Sequence, residues 1–158
     1  MLFKRTVLLA VLLSLAVCDL CAFDFSYGPF FTVKGIENKK GKILLPLSRG
    51  EYANIRILTA EIHQFLASCK EDCSFDIKNA PFSVYALRAA KKRKNMWIAD
   101  VKWGEDWLIT FLIFKNSEGC SAVIPENFIF LSDELKNQVE QQLFSAVFAC
   151  MTKQDLTQ

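Results

Sequence analysis

Histidine is almost missing from this 158-residue chain, which holds only His63. A serine-histidine-acid set, or a histidine general acid paired with a base, would have to be built on that single imidazole. No acid and hydroxyl stand at a spacing that marks such a set, and an isolated histidine at the edge of a helix face reads as incidental. Metal ligands are short for a related reason. The four cysteines beyond residue 22 are separated by three, 46 and 29 residues, which matches no compact zinc signature. There is no P-loop, glycine-rich nucleotide motif, calcium loop or zinc-hydrolase motif, so neither a metal nor a cofactor is expected. Charge of one sign is lacking as well: 19 basic residues stand against 17 acidic ones. That balance, with no recognition-helix or base-stacking motif, argues against nucleic-acid binding. Beyond residue 22 no apolar run is long enough for a membrane helix, and no repeat, low-complexity linker or second domain boundary divides the chain.

Residues 1–22 have the layout of a secretory signal peptide. Lys4 and Arg5 make a short positive start, Thr6 to Val17 is an apolar run too short to span a bilayer, and small residues follow near Ala22. Cleavage after Ala22 is expected, leaving residues 23–158 as a single exported domain, periplasmic or secreted. Lipid anchoring at Cys18, on the pattern Leu15-Ala16-Val17-Cys18, is the competing reading, although Val17 stands where a smaller residue is usual. Without residues 1–22 the chain keeps 17 basic and 16 acidic residues. It also keeps every phenylalanine but Phe3, so the core should be aromatic.

Export makes disulfides the expected state of Cys69, Cys73, Cys120 and Cys150. Cys69 with Cys73 would lock a helix end, and Cys120 with Cys150 would pin a strand to the last helix; the crossed pairings stay open. Cys69 and Cys73 are not a CxxC redox pair, because three residues separate them. Thiol chemistry at Cys120 or Cys150 is the functional alternative to stapling.

The stretch Met96 to Phe114 dictates most about its surroundings. It carries all three tryptophans and reads as two strands joined at Gly104-Glu105-Asp106. In that register Trp103 faces Trp107, Val101 faces Ile109, Ala99 faces Phe111 and Trp97 faces Ile113, which makes one face wholly apolar. The other face carries Asp100 and Lys102 on the first strand, and Leu108, Thr110, Leu112 and Phe114 on the second. The second strand therefore needs cover on both sides. The terminal helix is the expected cover for the apolar face. The reverse face either meets the first helix or lines a groove.

The remaining elements follow from pattern. Phe23 to Lys34 reads as a strand bent or interrupted at Gly28-Pro29, Gly35 to Gly41 as a polar turn, and Lys42 to Leu47 as a return strand. Ser48 and Glu51 form a capping box, with Leu47 and Tyr52 spaced as a hydrophobic staple. A helix is expected over 49–69, with Tyr52, Ile55, Leu58, Ile62, Phe65, Leu66 and Cys69 as its stripe. Ile57 fits that stripe poorly, and a strand at the beginning of this segment is the competing reading. Phe82 to Ala89 joins the hairpin as a third strand, Cys120 to Ile124 and Phe128 to Leu131 are extended, and a last helix begins after Ser132 with Leu135, Val139, Leu143, Ala146, Val147 and Cys150 on one side. The expected fold is α+β: a mostly antiparallel sheet of about five to six strands with two amphipathic helices.

Two residue sets point to binding. Leu108, Leu112 and Phe114 would line an apolar groove, and Lys91, Lys92, Arg93 and Lys94, at the turn before the hairpin, would form an anion patch. A charged turn also serves simply to keep strand edges apart. Glu105 and Asp106 beside Trp103 and Trp107 bring a carbohydrate site to mind, but adjacent acids in a tight loop normally face water and no second carboxylate is placed to complete it. The expected function is a non-enzymatic extracytoplasmic binding or envelope-associated domain. Its partner would be a protein, a lipid or an apolar small molecule. A small secreted or periplasmic hydrolase and a structural assembly component are the alternatives.

Overall fold

The computed structural model describes residues 21–47, 54–91 and 93–155. The hairpin is the centre of the fold, as its sequence demands. Strands β7 (Met96–Trp103) and β8 (Trp107–Asn116) pair antiparallel in the expected register, Trp103 with Trp107, Val101 with Ile109, Ala99 with Phe111 and Trp97 with Ile113. Gly104 opens the three-residue loop at φ 53°, a conformation that suits glycine. On the far side of β7 lies β6 (Phe82–Ala89), which completes the three-stranded meander, with a register shift between Val84 and Ala86. Two short strands share the other edge of β8: β4 (Ile55–Ile57) beside Trp107 to Ile109, and β9 (Gly119–Val123) beside Leu112 to Asn116.

A second five-stranded sheet stands where one sheet was expected. It is built from β1 (Cys21–Tyr27), β2 (Phe31–Lys39), β3 (Lys42–Leu44), β5 (Cys73–Phe75) and β10 (Phe128–Phe130). All its pairings are antiparallel except β1 with β5. Its first hairpin shows that the expected bend or interruption at Gly28-Pro29 is a full reversal between two strands. The chain reverses fully at Gly28, which has φ 51°, and a Cβ there would lie 2.4 Å from the Ile77 carbonyl oxygen. Gly35 then lies inside β2 rather than in a turn, and the next reversal comes at Lys40-Gly41.

The apolar face of the hairpin is covered chiefly by this second sheet, and the terminal helix takes only part of the work expected of it. Trp107 meets Phe25, Tyr27 and Phe31, while Trp103 meets Phe31, Phe82, Phe128 and Phe130. Both indoles are fully buried, and their N–H groups have no oxygen or nitrogen partner among the described residues. The groups around them are aromatic rings, whose faces are weak acceptors. The terminal helix, α2 (Asp133–Asp155), contacts β6 and β9, the two flanks of the first sheet, and so crosses it. It buries Val139, Leu143 and Val147 in the same core, and the Leu135 N–H donates to the expected Ser132 cap at 3.3 Å.

The first helix is shorter than expected. Helix α1 covers Ala60–Ser68, and Ile55 to Ile57, expected at its start, are strand β4. The β-branched alternation of Ile55 and Ile57 fits a strand, and β8 offers an open edge to pair with. Tertiary pairing thus overrides the helical spacing. Ile62 and Leu66 remain on the buried stripe, but Leu58 is exposed in the link. The capping box at Ser48 to Glu51 lies outside the described residues.

Candidate functional site

The reverse face of the first sheet is organised in rows by strand register. Arg56, Leu108 and Lys102 lie side by side across β4, β8 and β7. Thr110, Asp100 and Ala86 form the next row, then Val123, Leu112, Ile98 and Arg88, then Ser121, Phe114 and Met96. The third and fourth rows are mostly apolar and only half-buried. All of their residues but Ser121 line a groove of about 910 Å³, walled beyond the far edge of β8 by Asn54, Arg56, Ile124, Pro125 and Glu126, with the turn holding Lys91 and Arg93 at one end. This size lies in the range of small-molecule sites, roughly 300–1,000 Å³.

The two sets of residues singled out from sequence meet here. Leu112 and Phe114 line the groove, and so do Lys91 and Arg93. Leu108 does not: it is 6 % exposed, in the row beyond the floor. Lys94 is exposed in the turn and is not part of the lining. Lys92 lies outside the described residues.

A charged cluster missed in the sequence sits at the other end. Asp100 is 6 % exposed and accepts a hydrogen bond from the Thr110 hydroxyl at 2.6 Å. It also pairs with Arg88 at 2.9 Å and Arg56 at 3.1 Å. Burial pushes its carboxyl up, but the hydrogen bonds from Thr110 and Arg88 and the charges of Arg88 and Arg56 outweigh burial and hold it below the ordinary value. The missing signal was Arg56. Read as part of a helix it had no reason to face Asp100, whereas in β4 it stands one row away.

The acidic pair beside the tryptophans has a structural job. Asp106 accepts the Tyr27 hydroxyl at 2.5 Å and the Thr59 hydroxyl at 2.7 Å, tying the hairpin loop to the second sheet and to the start of α1. Burial, the hydrogen bond to Asp106 and the charges of Asp106 and Glu61 push the Tyr27 hydroxyl above its usual range. Glu105 is exposed and paired with Lys102. His63 is exposed on α1.

Cys69 and Cys73 form a disulfide that joins the end of α1 to the start of β5. The expected bond between Cys120 and Cys150 is not formed. Both are half-buried free thiols packed against the core, serving there as small hydrophobic groups. A second recess of about 560 Å³ between β6 and α2 is lined by Phe82, Ser83, Val84, Gln138, Gln141, Gln142 and Ser145, with no ionisable group. Among the described residues no three potential ligands of the histidine, cysteine or carboxylate type cluster as a metal site, and no helix is long and apolar enough to cross a membrane. Comparison with protein-family models, curated proteins and solved structures finds no match.

Proposed function

We propose that this protein is an exported, non-enzymatic binding domain whose ligand is an elongated apolar small molecule held in the groove on the reverse face of the first sheet. One observation carries the reading. Ile98, Leu112, Phe114 and Met96 leave an apolar floor half-exposed in a recess of ligand size, in a domain whose other large side chains are mostly closed into an aromatic core. Export is the reading of residues 1–22, and the Cys69–Cys73 disulfide supports it, since such bonds persist chiefly outside the reducing cytosol.

The test is direct. Titration of the purified domain with saturated carboxylates and alcohols of graded chain length, followed by calorimetry and amide NMR, should give saturable one-to-one binding with shifts centred on β7 and β8. Leu112→Gln and Ile98→Gln, at half-exposed positions where the fold tolerates polarity, should weaken it at least about tenfold. Absence of saturable binding across the series, or affinity unchanged in both variants, would refute the proposal.

A further inference from the structure

Cations line the groove at both ends, and only those at the Asp100 end are held by a buried carboxylate. Arg56 and Arg88 come from strands on opposite flanks of the sheet and from rows on opposite sides of Asp100, yet both reach the same carboxylate. One buried carboxylate between two guanidinium groups leaves a surplus positive charge. Both arginine side chains remain about half exposed, at 44 % and 52 %, and both line the groove. A guanidinium carries five donors, so contact with Asp100 leaves N–H groups to spare on each. Lys102, in the row beyond, is committed to Glu105.

We infer that Arg56 and Arg88 form the receiving site for an oxyanion at one end of the ligand, a carboxylate or phosphate monoester, and that Asp100 is their positioning residue. The deduction rests on the groove reading above. The occupant is a single-chain amphiphile. Its apolar part lies over Ile98, Leu112, Phe114 and Met96 and runs towards Lys91 and Arg93. From the Asp100 row to the Phe114 row is about 14 Å, four residues of extended strand, which sets the length of chain the floor can cover. An anion between the arginines would balance the Arg56–Asp100–Arg88 cluster, two positive against two negative; Glu126, the other acid of the lining, is itself engaged. Flexible cations lose side-chain freedom on meeting an anion, whereas guanidinium groups already oriented by a buried carboxylate have lost much of it in advance. That distinguishes this end from Lys91 and Arg93, which stand exposed in a turn where water screens their charge.

The experiment compares heads on one chain: decanoate, decyl phosphate, decanol and decyltrimethylammonium, each below its micelle concentration. The two oxyanions should bind roughly tenfold or more tighter than decanol, and the ammonium weakest. Arg56→Gln and Arg88→Gln should each bring the oxyanions to within about twofold of decanol measured on the same variant, and urea unfolding of each variant certifies that it is folded. Arg56→Lys, which keeps the charge near Asp100 but not the planar fork, should fall between. Arg93→Gln should change the preference less than about twofold. Decanol binding as tightly as decanoate would overturn the inference while leaving the groove reading in place. So would a preference lost in Arg93→Gln and kept in Arg56→Gln and Arg88→Gln. Failure of all four probes to bind would overturn both. Anionic vesicles serve as the separate arm: their binding in place of the soluble amphiphiles would assign the arginines to a membrane surface and refute the single-chain ligand.

Discussion

Replacing Asp106 by alanine should destabilise the domain by about 3 kcal/mol, although the residue sits in a three-residue surface loop. The magnitude follows from its two hydrogen bonds. Tyr27 is fully buried, and its hydroxyl donates to Asp106 at 2.5 Å. With the carboxylate gone, that hydroxyl is an orphaned buried donor, which costs about 2 kcal/mol. The Thr59 hydroxyl, at 2.7 Å from the other oxygen, is part-buried and regains water, so its loss adds about 1 kcal/mol. The loop backbone is spared, because the Asp106 N–H still donates to Trp103 and the Leu58 N–H to the Asp106 carbonyl. Tyr27→Phe removes the donor instead of the acceptor and should cost only about 1 kcal/mol. In that background Asp106→Ala should lose a further 1 kcal/mol or so, giving a coupling near 2 kcal/mol in the double-mutant cycle. Urea unfolding followed by the fluorescence of the buried Trp103 and Trp107 would measure all four proteins. A Tm about 10 °C lower is the matching calorimetric result for Asp106→Ala. A cost below about 1 kcal/mol, or a cycle additive within about 0.5 kcal/mol, would refute the view that this carboxylate staples the two sheets.

The charges and the crosslink set three further outcomes. Because the Asp100 carboxyl is held below its ordinary value in the folded state, the unfolded chain takes up that proton first as pH falls. Its contribution is therefore present above the unfolded value, about 3.9, and is lost below it. The urea midpoint of the natural protein should fall more steeply below about pH 4 than that of Asp100→Asn; parallel profiles would contradict the assignment. The Cys69–Cys73 disulfide closes a very short loop, so the Cys69→Ser, Cys73→Ser double variant should lose only about 2 kcal/mol by loop entropy. Alkylation of the denatured, unreduced protein should label Cys120 and Cys150 and spare Cys69 and Cys73, and peptide mass mapping would show it.

Both candidate sets come from local pattern. Leu112 and Phe114 were legible as groove residues because strand alternation put them on a face with no evident cover, and Lys91 and Arg93 because a basic turn adjoins that face. Leu108 failed because alternation gives the face of a residue and not how far the covering structure extends over it. Arg56, Arg88 and Asp100 were invisible as a unit. They lie on three strands, and the stripe of threes and fours from Tyr52 onward suits a helix at Arg56 as well as the strand that forms there.

The sequence by itself determined the hairpin from Met96 to Phe114, its register and its wholly apolar face, because the period-two pattern around Gly104-Glu105-Asp106 allows only one pairing that segregates the tryptophans. It also determined the terminal helix, its cap and the Cys69–Cys73 bond, all decided within a few residues of chain. Only the tertiary structure decided what covers the hairpin: a second sheet assembled from strands as far apart as β1 and β10, whose aromatic rings meet Trp103 and Trp107. Whether Ile55 to Ile57 join a helix or a sheet, and whether Asp100 stands alone or between two arginines, depended likewise on which strand edge and which face were left open. Such edges and faces exist only after distant segments have packed, and no local period records them.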